Sequence, residues 1–192
     1  MDELEWAHFG GISLSREPLA SRLIQLAEML KSLGRRISYD PNYRLLMDAR
    51  YDRTLERMCH LADVIKVSDE DLCGLFRCSD PAPGVVRLRA WAPQAWLLRT
   101  SGEDGATLYR GSKIWQARAP RVEVIDTVGA GDAAMAGLIH SLYRFPDSAR
   151  PERHLSQAIA AGTAACMSAG ADSPTDRITT MLSDLIHPVS LV

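Results

Sequence analysis

The chain has 192 residues, of which 46% are hydrophobic and 24% charged, with a formal net charge of −2. That size and composition suit one soluble globular unit with a true core. Acidic and basic residues are mixed along the chain, so charge gives no argument for nucleic acid or an anionic membrane, and a small-molecule partner fits better.

Trp6-Ala7-His8-Phe9 reads as a short strand ended by Gly10-Gly11. Pro18 then opens a helix in which Leu19, Leu23, Leu26, Leu30 and Leu33 recur every three or four residues, a spacing expected of a core-facing stripe, and Gly34 stops it. Arg36-Ile37-Ser38-Tyr39 is the next strand, and Asp40-Pro41-Asn42 turns the chain. Residues 51–61 read as a helix that buries Leu55, Met58, Cys59 and Ala62 on one side. Val64-Ile65-Lys66-Val67 is a strand, after which Ser68, with Asp71 three residues on, can start a helix. Residues 78–84 contain serine, aspartate, glycine and two prolines and read as a surface loop. Residues 95–100 form a strand, 101–105 a turn, and 106–110 with 112–117 an antiparallel pair around Gly111. Residues 121–125 read as extended, and the rest is helical over about 131–144, 152–168 and 175–185, with no convincing strand. Strand and helix alternate through the first half, which argues for an α/β fold with a mainly parallel sheet and helices on both faces.

Four cysteines, Cys59, Cys73, Cys78 and Cys166, form no Cys-x-x-Cys pair, and no histidine pair has zinc-finger spacing. Reduced thiols in a reducing compartment are the expectation. The acidic start, Met1 to Glu5, precedes no apolar signal core, and no apolar run approaches the ~20 residues that span a bilayer. A cytoplasmic location follows as the expectation.

The chemistry concentrates in Asp126-Thr127-Val128-Gly129-Ala130-Gly131-Asp132. Gly129 and Gly131 permit a turn whose main-chain N–H groups approach a ligand closely. A helix starting there adds unpaired donors and a positive dipole end, which together make an anion site. Asp132 in the first turn could take a proton from a hydroxyl. A plain glycine turn with Asp132 as a helix-start residue explains the same seven residues equally well. Gly129-x-Gly131-x-x-Ala134 also fits a dinucleotide fingerprint, but that pattern needs a following strand with an acidic residue, and none is evident. No Walker-type G-x-x-x-x-G-K-[ST] occurs.

Taken with Ala133, Ala136 and Gly137, this segment resembles the C-terminal signature of the ribokinase/PfkB family of carbohydrate kinases. Four further segments carry the resemblance in the same order. Asp40-Pro41-Asn42-Tyr43-Arg44 is similar to the D-x-N-x-R segment of fructokinase-like and ketodeoxygluconate-kinase-like members. Residues 62–71 resemble the N-x-x-E region, residues 100–105 the T-x-G-x-x-G nucleotide turn, and residues 170–175 the G-A-x-x-x-P loop.

The resemblance implies a ribokinase-like three-layer α/β/α sandwich, with residues 1–192 as a single C-terminal, nucleotide-binding part. It implies transfer of the ATP γ-phosphate to a sugar hydroxyl. Asp132 matches the general base, and the backbone of Gly129, Ala130 and Gly131 matches the anion hole for the phosphoryl group. Thr100, Gly102, Gly105 and Lys66 match nucleotide-binding positions, and Asn42 and Arg44 match sugar-binding ones. Asp71 matches the glutamate that organises Mg2+ through water, and Asp126 with the loop at 170–173 matches a monovalent-cation (K+) site. Three departures stand out. Ser68 and Asp71 replace the usual asparagine and glutamate, and Ala134 stands where members often have phenylalanine. The portion ahead of Trp6, which in members carries the first strands, the Gly-Gly sugar motif and the β lid, has no counterpart here; Gly10-Gly11 is not that motif. An ATP-dependent sugar kinase is therefore the first expectation, with ATP and a small sugar as partners and self-association as a homodimer compatible with exposed apolar surface. A nucleotide-binding remnant without catalysis is the alternative, and a dehydrogenase comes a distant third.

Overall fold

A computed structural model describes residues 4–145 and 150–191. Its internal contacts fall into two units that divide after Leu97.

The first unit contains β1 (Trp6–Gly10), α1 (Leu19–Ser32), β2 (Arg36–Asp40), α2 (Asp52–Leu61), β3 (Val64–Ser68), α3 (Asp69–Phe76) and α4 (Ala82–Trp91). β2 pairs in parallel with both β1 and β3, placing Tyr39 opposite Phe9 on one side and Ile65 on the other. A strand paired on both edges beneath helices is shut off from water, and Ile37, Ser38 and Tyr39 are each 0% exposed. The Tyr39 and Tyr51 hydroxyls meet at 2.6 Å in this core. Burial, then the neighbouring Tyr51, pushes the Tyr39 hydroxyl well above its ordinary range. α2 buries Leu55, Met58 and Cys59, with Ala62 just beyond its end, the side that the sequence marks.

Two expectations for this unit are corrected. The leucine stripe of α1 is only in part the core face, since of its leucines Leu30 alone is buried. Leu19, Leu26 and Leu33 are 49%, 40% and 51% exposed, and the buried positions are Ala20, Ala27 and Leu30. Alanine lets α1 lie close to its neighbours, so Ala20 and Ala27 share the inner side with Leu30. Residues 78–84 are not a loop throughout, because α4 already begins at Ala82. Pro81 and Pro83 sit at the helix start, where a missing N–H costs no hydrogen bond. Gly84 then lets Phe76 close on α4, since a Cβ there would lie 2.6 Å from the phenyl ring.

The second unit takes up β4 (Trp96–Thr100) from Leu98 and continues through β5 (Ala106–Arg110), β6 (Lys113–Ala117), α5 (Ala130–Arg144), α6 (Pro151–Ala165), α7 (Asp176–Ser183) and β7 (Val189–Ser190). β5 and β6 form the expected antiparallel hairpin, with Ala106 opposite Ala117 and Arg110 opposite Lys113. β7 adds antiparallel to β6, a two-residue strand the sequence reading does not find. The strand pairing is therefore mixed: parallel in the first unit, antiparallel at these pairs in the second. Residues 121–125 form no strand.

α5 and α6 pack closely because small residues face each other. A Cβ on Gly137 would lie 2.7 Å from the Gln157 carbonyl, and one on Gly162 would lie 3.2 Å from the Ala134 Cβ. Ala134 is 5% exposed at this contact, so a phenylalanine there would need α6 to move away. The helix pair also seals a polar contact, Ser141 Oγ to His154 Nδ1 at 2.7 Å.

Candidate active site

In the first unit, three buried charged groups meet where β2, β3 and α3 come together. Asp40, Lys66 and Asp71 are 2%, 5% and 7% exposed. Lys66 is the one polar residue in the middle of the β3 run Val64-Ile65-Lys66-Val67, and a buried ammonium requires an anionic partner. Its Nζ lies 3.0 Å from Asp40 Oδ2 and 4.0 Å from Asp71 Oδ2. Burial raises the Asp40 carboxyl above its ordinary value, and the Lys66 charge pulls it back.

The remaining acceptors of these carboxylates hold main chain. Asp40 Oδ1 accepts the Asn42 N–H at 3.0 Å. Asp71 Oδ1 accepts the Tyr43 N–H at 2.8 Å, and its Oδ2 accepts the Ser68 N–H at 2.8 Å. Ser68 Oγ in turn accepts the Asp71 N–H at 3.0 Å, so the expected helix start is a complete capping box. Asn42 has a left-handed φ of 45°. Arg44 folds back on its own loop, donating to the carbonyls of Asn42 at 3.2 Å and Tyr43 at 2.8 Å and to the Asn42 side chain.

In the second unit, Gly129 caps α5 with φ 81°, a conformation that glycine alone takes without strain. The Ala130 N–H donates to the Thr127 carbonyl at 3.2 Å, and the first i→i−4 bond of the helix runs from Ala133 to Gly129 at 2.8 Å. The amides of Gly131 and Asp132 therefore fall among the first-turn donors that have no acceptor within the helix. Asp132 is exposed, and its carboxylate has no hydrogen-bond or ion-pair partner among the described residues.

Asp126 organises the approach to this turn. It accepts the Val128 N–H and the Gly170 N–H, each at 3.0 Å, and those two bonds hold its carboxyl below the ordinary range. Ala171 seats against Gly129, 3.2 Å from where a Cβ would stand. The loop at 170–173 and the glycine turn are thus one structure. An open groove of about 640 Å3 begins at Gly129 and Asp132 and runs along α5 past His140 to Arg144, with Arg153 and Asp176 on its other side.

Thr100 ends β4, and Gly102 and Gly105 bound a single 3-10 turn closed by the Ser101 N–H donating to the Gly105 carbonyl at 2.9 Å. Gly105 has φ 93°, and a Cβ there would lie 2.7 Å from the Arg118 Cα, so the entry to β5 requires glycine.

The residues singled out in the sequence fall in both units: Asn42, Arg44, Lys66 and Asp71 in the first, and Thr100, Gly102, Gly105, Asp126 and Gly129–Asp132 in the second. Sequence reasoning missed Asp40 as the partner of Lys66, although a lone lysine inside an apolar strand was the available signal. Among the described residues no group of three or more His, Cys, Asp or Glu side chains is placed to hold a metal ion. Asp71 has spent one lone pair of each oxygen on a backbone amide and has an ammonium beside it, which does not suit a divalent-ion ligand. Asp126 also gives one lone pair of each oxygen to a backbone amide, but it is not buried and has no ion-pair partner among the described residues, so its remaining lone pairs are chemically compatible with a monovalent cation. No helix among the described residues is long and apolar enough to cross a membrane.

The profile of "pfkB family carbohydrate kinase" matches residues 3–178. A probable fructokinase-6, chloroplastic, from Arabidopsis thaliana is 34% identical over 156 residues, covering 79% of this chain and 41% of its own length. A fructokinase from Salmonella thompson is 37% identical over 141 residues, covering 72% of this chain and 64% of its own. The solved structure of aminoimidazole riboside kinase from Salmonella enterica, complexed with aminoimidazole riboside and an ATP analog, superposes with a TM-score of 0.82 at 30% identity. That likeness covers 93% of this chain and 63% of the other. The chain therefore spans between 41% and 64% of the length of these relatives.

Proposed function

Since this chain belongs to the pfkB family of carbohydrate kinases and has the ribokinase-like α/β/α fold, we propose that it carries the phosphoryl-transfer centre of an ATP-dependent sugar kinase. The observation that supports this most directly is the start of α5. An unpartnered, exposed Asp132 carboxylate stands in the same helical turn as the Gly131 and Asp132 amides, which have no acceptor in the helix.

In the proposed reaction Asp132 takes the proton of a sugar hydroxyl. The alkoxide oxygen bonds to the γ-phosphorus of ATP as the bond to the β–γ bridging oxygen breaks, and ADP leaves with that electron pair. The N–H groups of the glycine turn and the positive end of α5 stabilise the charge on the transferring phosphoryl oxygens. Phosphoryl transfer depends mostly on such positioning and charge stabilisation. Magnesium enters as part of the MgATP substrate, held by its phosphates. Thr100, Gly102 and Gly105 are assigned to the nucleotide, and Asn42 and Arg44 to the sugar. A potassium ion at Asp126 and the loop at 170–173 would neutralise the carboxylate and stiffen the turn. The four cysteines are free, in keeping with the reducing, cytoplasmic setting we assign.

The relatives favour a ketose such as fructose as acceptor, with a riboside as the second choice. A catalytically silent nucleotide binder is the competing reading. A coupled assay of ADP formation separates them, with fructose, ketodeoxygluconate, ribose and aminoimidazole riboside offered in turn. Sugar-dependent ADP release is expected. Binding of ATP without turnover on any acceptor would favour the silent binder, and no ATP binding at millimolar nucleotide would sink both.

A further inference from the structure

The buried cluster in the first unit is the feature that the proposed chemistry leaves unexplained. Asp71 stands where the family pattern suggests a magnesium-organising carboxylate, yet its geometry is that of a backbone clamp. We infer that Asp71, together with Asp40 and Lys66, is a positioning cluster that sets the Asn42–Arg44 segment, and that Asp71 does not hold a divalent cation.

All four carboxylate oxygens of the cluster are directed at protein. Asp40 takes the Asn42 N–H and the Lys66 ammonium, each at 3.0 Å. Asp71 takes the Tyr43 and Ser68 N–H groups, each at 2.8 Å. At 7% exposure Asp71 has little room for the hydration shell that Mg2+ keeps when it binds. The Lys66 ammonium, 4.0 Å from Asp71 Oδ2, already supplies the positive charge and would repel a second one.

The clamp acts on a segment that needs holding. Asn42 has φ 45°, a left-handed conformation that asparagine tolerates better than other side chains but that still costs free energy unless its neighbours hold it. The N–H groups of Asn42 and of Tyr43 are each fixed by a buried carboxylate, and they flank that left-handed residue. A second contact fixes the same place independently. The Tyr43 ring lies on α3 at Gly74, where a Cβ would come 2.7 Å from the Tyr43 Cγ. Tyr43 is therefore pinned through its backbone to the start of α3 and through its ring to the middle of it. Aspartate suits this arrangement better than glutamate, because the shorter side chain reaches the Ser68 and Tyr43 amides together. Asp71 is a positioning residue for Asn42 and Arg44. The inference rests on the proposed sugar kinase only for what those two residues bind.

The test is amide hydrogen exchange by NMR on the whole chain, free of nucleotide, with and without Mn2+ as the paramagnetic probe. Slow exchange at Tyr43 and Ser68 and no selective broadening around residues 68–73 are expected. Asp71→Glu should keep Ser68 protected, since a glutamate at that position completes the same capping box. It should speed Tyr43 exchange at least about tenfold by moving the carboxylate away. Gly74→Ala should speed Tyr43 exchange without touching Ser68. Selective Mn2+ broadening at residues 68–73, or unchanged Tyr43 exchange in Asp71→Glu, would overturn the inference. In the kinase assay, Asp71→Glu should raise the KM for sugar more than it lowers kcat, with an unchanged Mg2+ requirement. Absence of turnover in the unsubstituted chain would count against the kinase reading alone, because the exchange and broadening results do not depend on it.

Discussion

Asp126 Oδ2 accepts the main-chain N–H of Gly170 at 3.0 Å, across 44 residues of sequence. The same carboxylate accepts the Val128 N–H at 3.0 Å. One side chain thus ties the glycine turn ahead of α5 to the loop that follows α6, and neither loop is a separate feature.

Asp126 should therefore make the turn sensitive to acid. The Val128 amide first, and the Gly170 amide second, hold its carboxyl below the ordinary range. A depressed carboxyl stabilises the fold above the unfolded value near 3.9, and that contribution fades as pH falls through the lower folded value. Protection of the Val128 and Gly170 amides, taken as exchange relative to the intrinsic rate at each pH and followed from pH 5 downward, should be lost in that window. Asp126→Ala should exchange fast at both amides and lose the local pH dependence. Slow Gly170 exchange in Asp126→Ala would show that the loop is held by other contacts.

Asp132→Asn should abolish sugar phosphorylation while leaving ATP affinity within about twofold. General-base removal costs on the order of 10²–10⁴ in rate. The substitution keeps the shape and the helix start, so melting temperature should hardly move. Turnover equal to the unsubstituted chain would exclude Asp132 as the base.

His154 gives a second, independent pH dependence. It is 0% exposed between α5 and α6. Burial first, then the charges of Arg110 and Arg153, push it down from 6.5 to about 4. The unfolded chain binds a proton that the folded one refuses between those values, so stability falls as pH drops through the window. The loss should be about 3 kcal/mol across it. Urea denaturation at pH 7 and pH 4.5 measures this, and His154→Gln should flatten the dependence. An equal slope in that variant would place the titration elsewhere.

The register of α1 is testable by substitution. Leu26 is 40% exposed and Leu30 is 4% exposed. Leu26→Gln should change stability by under about 0.5 kcal/mol, whereas Leu30→Ala should cost about 2–5 kcal/mol. Comparable costs at both positions would mean that the leucine stripe is covered in solution. Sedimentation of Leu26→Gln beside the unsubstituted chain then shows whether self-association does the covering.

Local chemistry made much of this protein legible in advance. A capping pair such as Ser68 and Asp71, a helix face such as Leu55–Met58–Cys59, and a hairpin about Gly111 depend on neighbours a few residues away. The glycine turn at 129–131 with Asp132 behind it is equally local, and so is its likeness to sugar kinases. The tertiary structure alone decided the rest. Spacing places Leu19, Leu26, Leu30 and Leu33 on one side of a helix, but of these only Leu30 is buried, and the small Ala20 and Ala27 share the inner side with it, where helices pack closely. Proline at 81 and 83 reads as loop until a helix start is found beneath it. Above all, Lys66 meets Asp40 across 26 residues, and Asp126 meets Gly170 across 44. A charge or an amide that must be buried takes whichever partner folding brings to it, and spacing along the chain carries no record of that choice.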